Sequence, residues 1–298
     1  MKNARSASAR PRRSAEPENL PSPYVEESVP PGPGDRGLRI VSWNINSVRL
    51  RIEHVRTLAR LADPDVICLQ ETKTEDQFFP REAIAEAGYP YQCFHGMKGY
   101  NGVAIVSRHP LSNHGRRHWC DKDDSRHVQV ELPGDIELHN VYIPAGGDIP
   151  DPEQNPKFAH KLQFLRELGA YWKTQPQGRR ILVGDLNVAP LETDVWSHKQ
   201  LLDVVSHTPV EVDLLTEFQA AHNWVDATRL LFPEPRRIYT WWSYRNRDWR
   251  LSDRGRRLDH AWVTPSLQAN VLGAHILKGA RDWEKASDHV PLILDIAL

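Results

Sequence analysis

RRILVGDLN, residues 179–187, is the stretch that decides how this chain is read, because an apolar strand there delivers Asp185 and Asn187 together at its carboxyl end. That end is where α/β sheets place their chemistry. Three other apolar segments carry similar polar loads. LRIVSWNIN (38–46) ends in Asn44 and Asn46, and DVICLQE (65–71) ends in Glu71. Near the carboxyl terminus, Ser287-Asp288-His289 runs directly into the apolar segment 290–296. If this final strand lies antiparallel to the others, its start and their finishes share one sheet edge, and the polar groups converge.

Converging acids repel. Glu71, Asp185, Asp288 and Asp259, the last from the segment RLDH (257–260), could not all stay ionised in one cleft without a compensating positive charge. A divalent cation supplies it. Carboxylate and amide oxygens suit a hard ion, Mg²⁺ or Mn²⁺, and no cysteine or paired-histidine spacing offers a zinc site. Such an ion takes one or two carboxylates plus substrate phosphate oxygens, so phosphoester chemistry is the leading expectation.

Composition agrees with an enzyme rather than a membrane span or a disulfide scaffold. The chain has 298 residues, 40% hydrophobic and 26% charged, enough to bury one large core. No segment approaches a membrane span. Cys68, Cys93 and Cys120 are odd in number and scattered, which argues for a reducing compartment and a cytoplasmic location, beside the nucleoid if the source is bacterial. The net charge of −1 does not announce a polyanionic partner. Local charge does: RNRDWRLSDRGRR (245–257) holds arginines at 245, 247, 250, 254, 256 and 257 around Trp249. A loop of this kind can track phosphates, although a solvated surface loop would have the same composition.

Residues 1–37 stand apart. Their Arg/Ser-rich start and Pro- and acid-rich continuation carry almost no periodic apolar residue, as a disordered tail does. Glu16, Glu18, Glu26 and Glu27 argue against a transit peptide, and there is no apolar core for a secretory signal. From residue 38 onward strands and helices alternate without internal repeat. Val48, Ile52, Val55, Ala59 and Ala62 recur at helical spacing until Pro64, and a second helix is expected over 80–87. Strands are predicted at 102–107, 127–132 and 136–142, the last two joined by Pro133-Gly134-Asp135. Phe158, Leu162, Leu165, Gly169 and Trp172 trace another helix, and a further one is expected over 211–221. Strands at 239–243, 258–263, 271–277 and 290–296 complete the pattern. Many hairpin-like strands with a few helices predict an α/β four-layer sandwich, two mixed β-sheets packed face to face and flanked by helices.

LRIVSWNINSVR, ICLQETK, NGVAIVS, NVYIP, ILVGDLNVAP, YTWWSYR, RRLDHAWV and SDHVP together resemble the ordered motif set of the exonuclease III class of apurinic/apyrimidinic endonucleases, within the endonuclease/exonuclease/phosphatase superfamily. The resemblance covers about 38–298. Single motifs such as GDxN recur by chance; eight in order do not. It implies a Mg²⁺-dependent DNA repair phosphodiesterase that cleaves 5′ to abasic sites and leaves a 3′-hydroxyl, with 3′–5′ exonuclease and 3′-phosphatase activity as further possibilities. The implied partner is double-stranded DNA with abasic sites or blocked 3′ ends, and a monomer is the default.

Residue by residue, the resemblance makes Glu71 the principal metal ligand, with Asn44, Asp185, Asn187, Asp288 and His289 around the ion. Tyr142, Asp185, Asn187, Asp259 and His289 form the implied catalytic group. Asp185 would deprotonate the attacking water or partner the leaving oxygen, and Asp259 would fix the tautomer of His289, which binds a phosphoryl oxygen. Asn46, Lys73, Trp241, Arg250, Arg254 and Arg256 are implied substrate contacts, Lys73 alternatively pairing with Glu71. Of Trp241 and Trp242, one is expected in the core and Trp241 as the wall of a pocket sized for a baseless sugar.

Two positions depart from the pattern. Arg256 stands where some members carry a bulky apolar pocket residue, and Asp148 lies where some eukaryotic members have an arginine that enters the duplex. The balance of endonuclease, exonuclease and phosphatase activities is therefore open. A sister phosphodiesterase acting on lipid head groups or inositol phosphates should lack the TWWSYR pocket and the arginine loop. A nonspecific nuclease of the superfamily would use a histidine pair where NVYIP supplies Tyr142, and a catalytically inactive DNA-binding module would show broken motifs.

Overall fold

The computed structural model describes residues 28–246 and 248–298. Most of the expected N-terminal tail, residues 1–27, and Arg247 lie outside the described residues. The expected boundary at 37/38 needs correction. Gly34–Arg36 form a 3-10 turn, Gly37 pairs with Ala297 as the first residue of a strand, and Val29 packs against the core.

In chain order the elements are β1 (Gly37–Asn44), α1 (Ile52–Ala62), β2 (Val66–Gln70), α2 (Arg81–Glu86), β3 (Tyr91–His95), β4 (Val103–Ser107) and β5 (Ser112–Arg116). There follow β6 (His127–Leu132), β7 (Ile136–Tyr142), α3 (Pro156–Thr174), β8 (Arg180–Asp185), α4 (His198–Leu201) and α5 (Pro209–Ala221). The last third holds β9 (Val225–Asp226), α6 (Ala227–Leu231), β10 (Trp241–Trp242), α7 (Trp249–Ser252), β11 (Gly255–Arg256), β12 (Asp259–Val263), β13 (Val271–Ile276) and β14 (Leu292–Ala297).

Two six-stranded mixed sheets result, ordered β13-β14-β1-β2-β4-β3 and β5-β6-β7-β8-β12-β9. β1 and β2 are parallel, as are β7 and β8, while β14 runs antiparallel to β1 and β12 antiparallel to β8. Strand alternation assigns each residue to a layer. Ile40, Cys68, Leu138, Val183 and Ala261 meet between the sheets. Their neighbours Val41, Trp43 and Leu69 pack under α1 and α2, and Val141, Leu182 and Trp262 under α3 and α5. The four-layer sandwich is thus the observed architecture.

Local signals place the helices. α1 ends at Asp63, whose left-handed φ of 49° terminates the helix just before Pro64. Asn155 caps α3, its side chain accepting from Lys157 N, and Pro156 occupies the first helical position. In the GDLN segment Gly184 has a φ of +149°, and a Cβ there would stand 1.8 Å from Val141 O, so only glycine lets β8 pass β7 at this point.

The differences from expectation lie at the edges. β3 and β5 were not anticipated; both are edge strands, and SNHGR is mostly exposed, so neither needs the apolar alternation that reveals a central strand. The strand expected over 239–243 shrinks to β10. It pairs with β11 and is stitched to the SDH segment by Trp242 N–Asp288 O and Val290 N–Thr240 O bonds.

Candidate active site

The inner-face positions of five strands change from hydrocarbon to polar at one end of the sandwich. Asn44 of β1, Gln70 of β2, Asn140 and Tyr142 of β7, Asp185 of β8 and Asp259 of β12 continue the same parity as the core residues above them. Asp185 and Asp259 are register partners. Gln70 and Asn140 join the two sheets beneath the site through a 2.7 Å hydrogen bond.

The groups converge as the strand edge predicted. Asn44 Nδ2 donates to Glu71 Oε1 and to Asp185 Oδ2, 2.9 Å each, so one amide links two carboxylates from different sheets. Tyr142 Oη donates to Glu71 Oε1 at 2.8 Å. Lys73 Nζ reaches Glu71 Oε2 at 2.8 Å and Asn46 Oδ1 at 2.7 Å, which realises the Glu71 pairing among its expected roles. Asn187 holds Asp185 through its backbone N–H at 3.0 Å and its side-chain amide at 3.1 Å. His289 Nδ1 donates to Asp259 Oδ2 at 2.8 Å, and its Nε2 lies 3.6 Å from Asp185 Oδ2.

The loops that present these groups are bent against ordinary backbone preference. Asn46, Ser47, Glu71, Lys73 and Asn187 all have left-handed φ, between 49° and 87°. Such residues cost about 1 kcal/mol or more each, and here they cluster around the cleft. Nothing in residue type alone marked Glu71 or Lys73 for that conformation.

Electrostatics follow from burial and proximity. Burial pushes the Asp185 carboxyl well up; attraction to His289 opposes this, and the Asp259 and Glu71 charges reinforce it. His289 is held charged: burial alone would depress its pKa, but the carboxylates of Asp259 and Asp185 outweigh it. For Glu71, burial is outweighed by Lys73 and the bonds from Asn44 and Tyr142, and the carboxyl falls below its ordinary value.

This donor set fits a hard cation. Asp185, Asp259 and His289 lie close enough together to hold an ion, and His289 donates from Nδ1 to Asp259 while its Nε2 faces Asp185. Glu71 and Asp185 are two carboxylates from opposite sheets joined by Asn44, and burial above all keeps Asp185 from ready ionisation. The buried Asp259 Oδ1 also lacks a partner among the described residues. Asp288, expected as a ligand, spends Oδ1 on Asn46 and Oδ2 on Trp241 Nε1, at 3.1 and 2.9 Å. Asp288 and Glu71 line the same cleft.

A cleft of about 560 Å³ opens here, with Glu71, Asn187 and His289 at one end. Trp241 lines it and Trp242 is fully buried, so the pair divides as expected. The far end holds Arg245, Arg254 and Arg256. Arg254 stacks 4.7 Å over Trp196, and Arg256 lies 5.3 Å over Trp241. Within the arginine segment Arg257 is buried against Asp194 and Asp226, and Arg250, expected at the substrate, pairs with Asp282 through a 2.8 Å bond. Sequence reasoning missed Trp196, Ser206 and Tyr244. Trp196 and Ser206 lie in loops without periodicity; Tyr244, bonded to Asn46 and Arg51, could have been suspected from its place in TWWSYR.

Known proteins resemble this chain in sequence and fold. The profile of the endonuclease/exonuclease/phosphatase family matches residues 41–289. The exodeoxyribonuclease III of Haemophilus influenzae is 29% identical over 270 residues, covering 86% of this chain and 98% of that protein. An AP endonuclease from Archaeoglobus fulgidus superposes with a TM-score of 0.80 at 31% identity, over 88% of this chain and all of that one (100%). A 3′ phosphatase, NExo from Neisseria, bound to product DNA hairpin, superposes with a TM-score of 0.80 at 28% identity, with coverage of 88% and 100%. With the motif order, the sandwich and these likenesses in agreement, the chain belongs to the endonuclease/exonuclease/phosphatase family, in its exonuclease III branch.

Proposed function

We propose that this protein is a Mg²⁺- or Mn²⁺-dependent DNA repair phosphodiesterase that hydrolyses the bond 5′ to an abasic site, leaving a 3′-hydroxyl, and that trims blocked 3′ ends by the same chemistry. The observation that carries this reading is the linked set Asp259–His289 and Glu71–Asn44–Asp185, which places one cationic donor and two carboxylates at a single cleft.

Each side chain has a task in that reading. Glu71 and Asp185, aided by the amide oxygens of Asn44 and Asn187, would hold the cation, which supplies charge neutralisation at a phosphoryl oxygen. His289, kept protonated by Asp259, presents Nε2–H to another phosphoryl oxygen and stabilises charge gathering there. Asp185 receives the proton of the attacking water, with Asn187 fixing its orientation. Tyr142 and Lys73 hold Glu71 in place. Trp241, oriented by Asp288, walls the sugar side, where a baseless nucleotide enters more readily than an intact one. Asn46 and the cleft arginines meet the DNA backbone.

Double-stranded DNA is the partner in this proposal, and the monomer the acting unit. A cytoplasmic setting suits it: Cys68, Cys93 and Cys120 are all free and buried, and among the described residues no helix is long and apolar enough to cross a membrane. The test is cleavage of a labelled abasic duplex. Activity in millimolar Mg²⁺ should vanish on chelation, and Glu71→Gln should lower it about a hundredfold or more while melting stays close to that of the parent. Undiminished cleavage by Glu71→Gln would refute the metal assignment; absence of cleavage in the parent would refute the function.

A further inference from the structure

Arg51 is a buried guanidinium whose acceptors are all neutral. Its Nε donates to Lys285 O at 2.7 Å, Nη1 to Ile45 O at 3.2 Å and to Asn46 O, and Nη2 to Ala286 O at 3.0 Å and Tyr244 Oη at 3.1 Å. A guanidinium offers five N–H donors, so every one is spent, and no carboxylate among the described residues takes any of them. Arg256 is the contrast within the cleft: it bonds Val205 O at 2.9 Å and Ser206 Oγ at 2.7 Å, but its Nε has no partner. Taking a cation out of water without an anion is unfavourable, so what Arg51 contributes lies in the segments it ties together.

Three segments distant in sequence meet on this side chain. Residues 45–46 follow β1, residues 285–286 run directly into Ser287-Asp288-His289, and Tyr244 follows β10. Asn46, Ser47 and Lys285 have left-handed φ of 49°, 87° and 54°. Arg51 grips the carbonyls of Asn46 and Lys285, so its bonds fall where the backbone is bent against preference. Asn46 in turn accepts from Lys73 Nζ and donates to Asp288 Oδ1 and, at 3.3 Å, to Tyr244 Oη. Tyr244 Oη closes the ring by donating to Ala286 O at 2.8 Å. Beyond Ala286, Ser287 Oγ donates to Asn44 O at 2.7 Å and accepts from His289 N at 3.2 Å. Arg51 is itself anchored to α1: its carbonyl accepts from His54 N and Val55 N, and Val55, Leu58 and Ala62 bury that helix.

Resting on the phosphodiesterase reading above, we propose that Arg51 is a positioning residue for the reaction, a clasp that holds the Asn46 turn and the Asp288–His289 segment in fixed relation. It acts through others. By way of Asn46 it steadies Lys73 against Glu71, and by way of residues 285–286 it sets where His289 presents its ring. Because its acceptors are neutral and lie on separate segments, the planar spread of the guanidinium matters and its charge does not. A lysine keeps the charge but radiates its donors from one atom, so it cannot span the same carbonyls. Loss of the clasp displaces groups that must meet the phosphate in one geometry, and a shift of about 1 Å costs roughly a hundredfold in rate.

The test sets Arg51→Met and Arg51→Lys beside Leu168→Ala, a core substitution on α3 away from the clasp. With abasic-duplex cleavage normalised to folded protein, Arg51→Met should lower kcat about a hundredfold and leave KM within about threefold. Arg51→Lys should fall nearly as far. Leu168→Ala should melt earlier and keep its kcat, because the cavity it opens touches no reacting group. Tyr244→Phe, which removes one acceptor, should lose less than Arg51→Met, and the double variant should lose less than the product of the two, as members of one network do. Hydrogen exchange without metal or DNA gives a second readout. Arg51→Met should speed exchange about tenfold over 44–48 and 285–289 and leave α3 at the parent rate, while Leu168→Ala should do the reverse. Recovery of parent kcat in Arg51→Lys, or a kcat of Arg51→Met equal to that of Leu168→Ala, overturns the clasp. If Arg51→Met does not fold, Arg51→Lys and Tyr244→Phe carry the same comparison. If the parent cleaves no abasic duplex, the functional reading falls and exchange alone judges the clasp, which fails if those two segments do not respond or if the whole chain responds equally.

Discussion

The two ends of the cleft are built on opposite plans. At the acid end, Asn44, Tyr142, Asp185 and Asp259 sit on central strands; Asn44 bonds to Asp185 and Glu71, Tyr142 to Glu71 and Asp259 to His289. At the arginine end, Arg245, Arg254 and Arg256 come from a short ribbon and loops, and no carboxylate among the described residues pairs with Arg254 or Arg256. The first end is pre-organised for one chemistry, because rigid strands hold its charges against mutual repulsion. The second leaves positive charge for a ligand to satisfy, which is where substrate choice can vary without disturbing the reaction.

The sharpest way to break this contrast is Asp185→Asn. The change keeps shape and removes the proton acceptor, so single-turnover cleavage at saturating Mg²⁺ should fall roughly a thousandfold. Because burial already disfavours the charge of Asp185, thermal melting should stay level or rise. A variant that retains most of its activity would make Asp185 a spectator.

Lys161→Met asks whether the two ends are mechanically joined. Lys161 Nζ donates to Asn187 O at 2.7 Å on one side and pairs with Glu211, which holds Ser206, on the other. Stranding Glu211 in the core should cost about 3–5 kcal/mol by chemical denaturation. Adding Glu211→Gln should recover part of that loss. A cost below about 1 kcal/mol would mean that the ends are independent.

Acid should loosen the scaffold under the acid end. His260 follows Asp259 in β12 with its side chain buried, and burial first, then the charge of Arg257, depresses its pKa from 6.5 to about 4. The unfolded chain therefore takes a proton below 6.5 that the native chain refuses until about 4. The contribution is fully present above 6.5 and is lost as pH falls through that window, by about 3 kcal/mol in all. Urea midpoints measured between pH 7.5 and 4.5 should decline accordingly. A much flatter decline in His260→Gln than in the parent would confirm the source, and parallel curves would exclude it.

The smallest effect separates two arginines. Arg254→Gln should reduce the slope of log affinity against log salt by up to about 1, whereas Arg250→Gln should leave it unchanged, because Asp282 already neutralises Arg250. Equal slopes for both variants would erase the distinction drawn between them.

How much of this was legible from the chain divides along the same line as the cleft. Ile181, Val183 and Asp185 share one parity, as do Ile40, Ser42 and Asn44, so strand periodicity alone could bring the acids and amides to one edge. Edge strands escaped because SNHGR needs no buried face. The pairing of Arg250 with Asp282 and of Asp288 with Asn46 and Trp241 could not be read in advance, because residue type announces a charge but not its partner.

Periodicity and motif order in this chain determined two sheets, the edge at which they react, and the oxygen-bearing residues delivered there, since alternation along a strand is a local property. Only the tertiary structure decided which arginine is neutralised and which is left facing the cleft, and that Trp196, Ser206 and the Lys161–Glu211 pair belong to the site. Those outcomes depend on segments tens of residues apart meeting in space, and on which opposite charge each one meets.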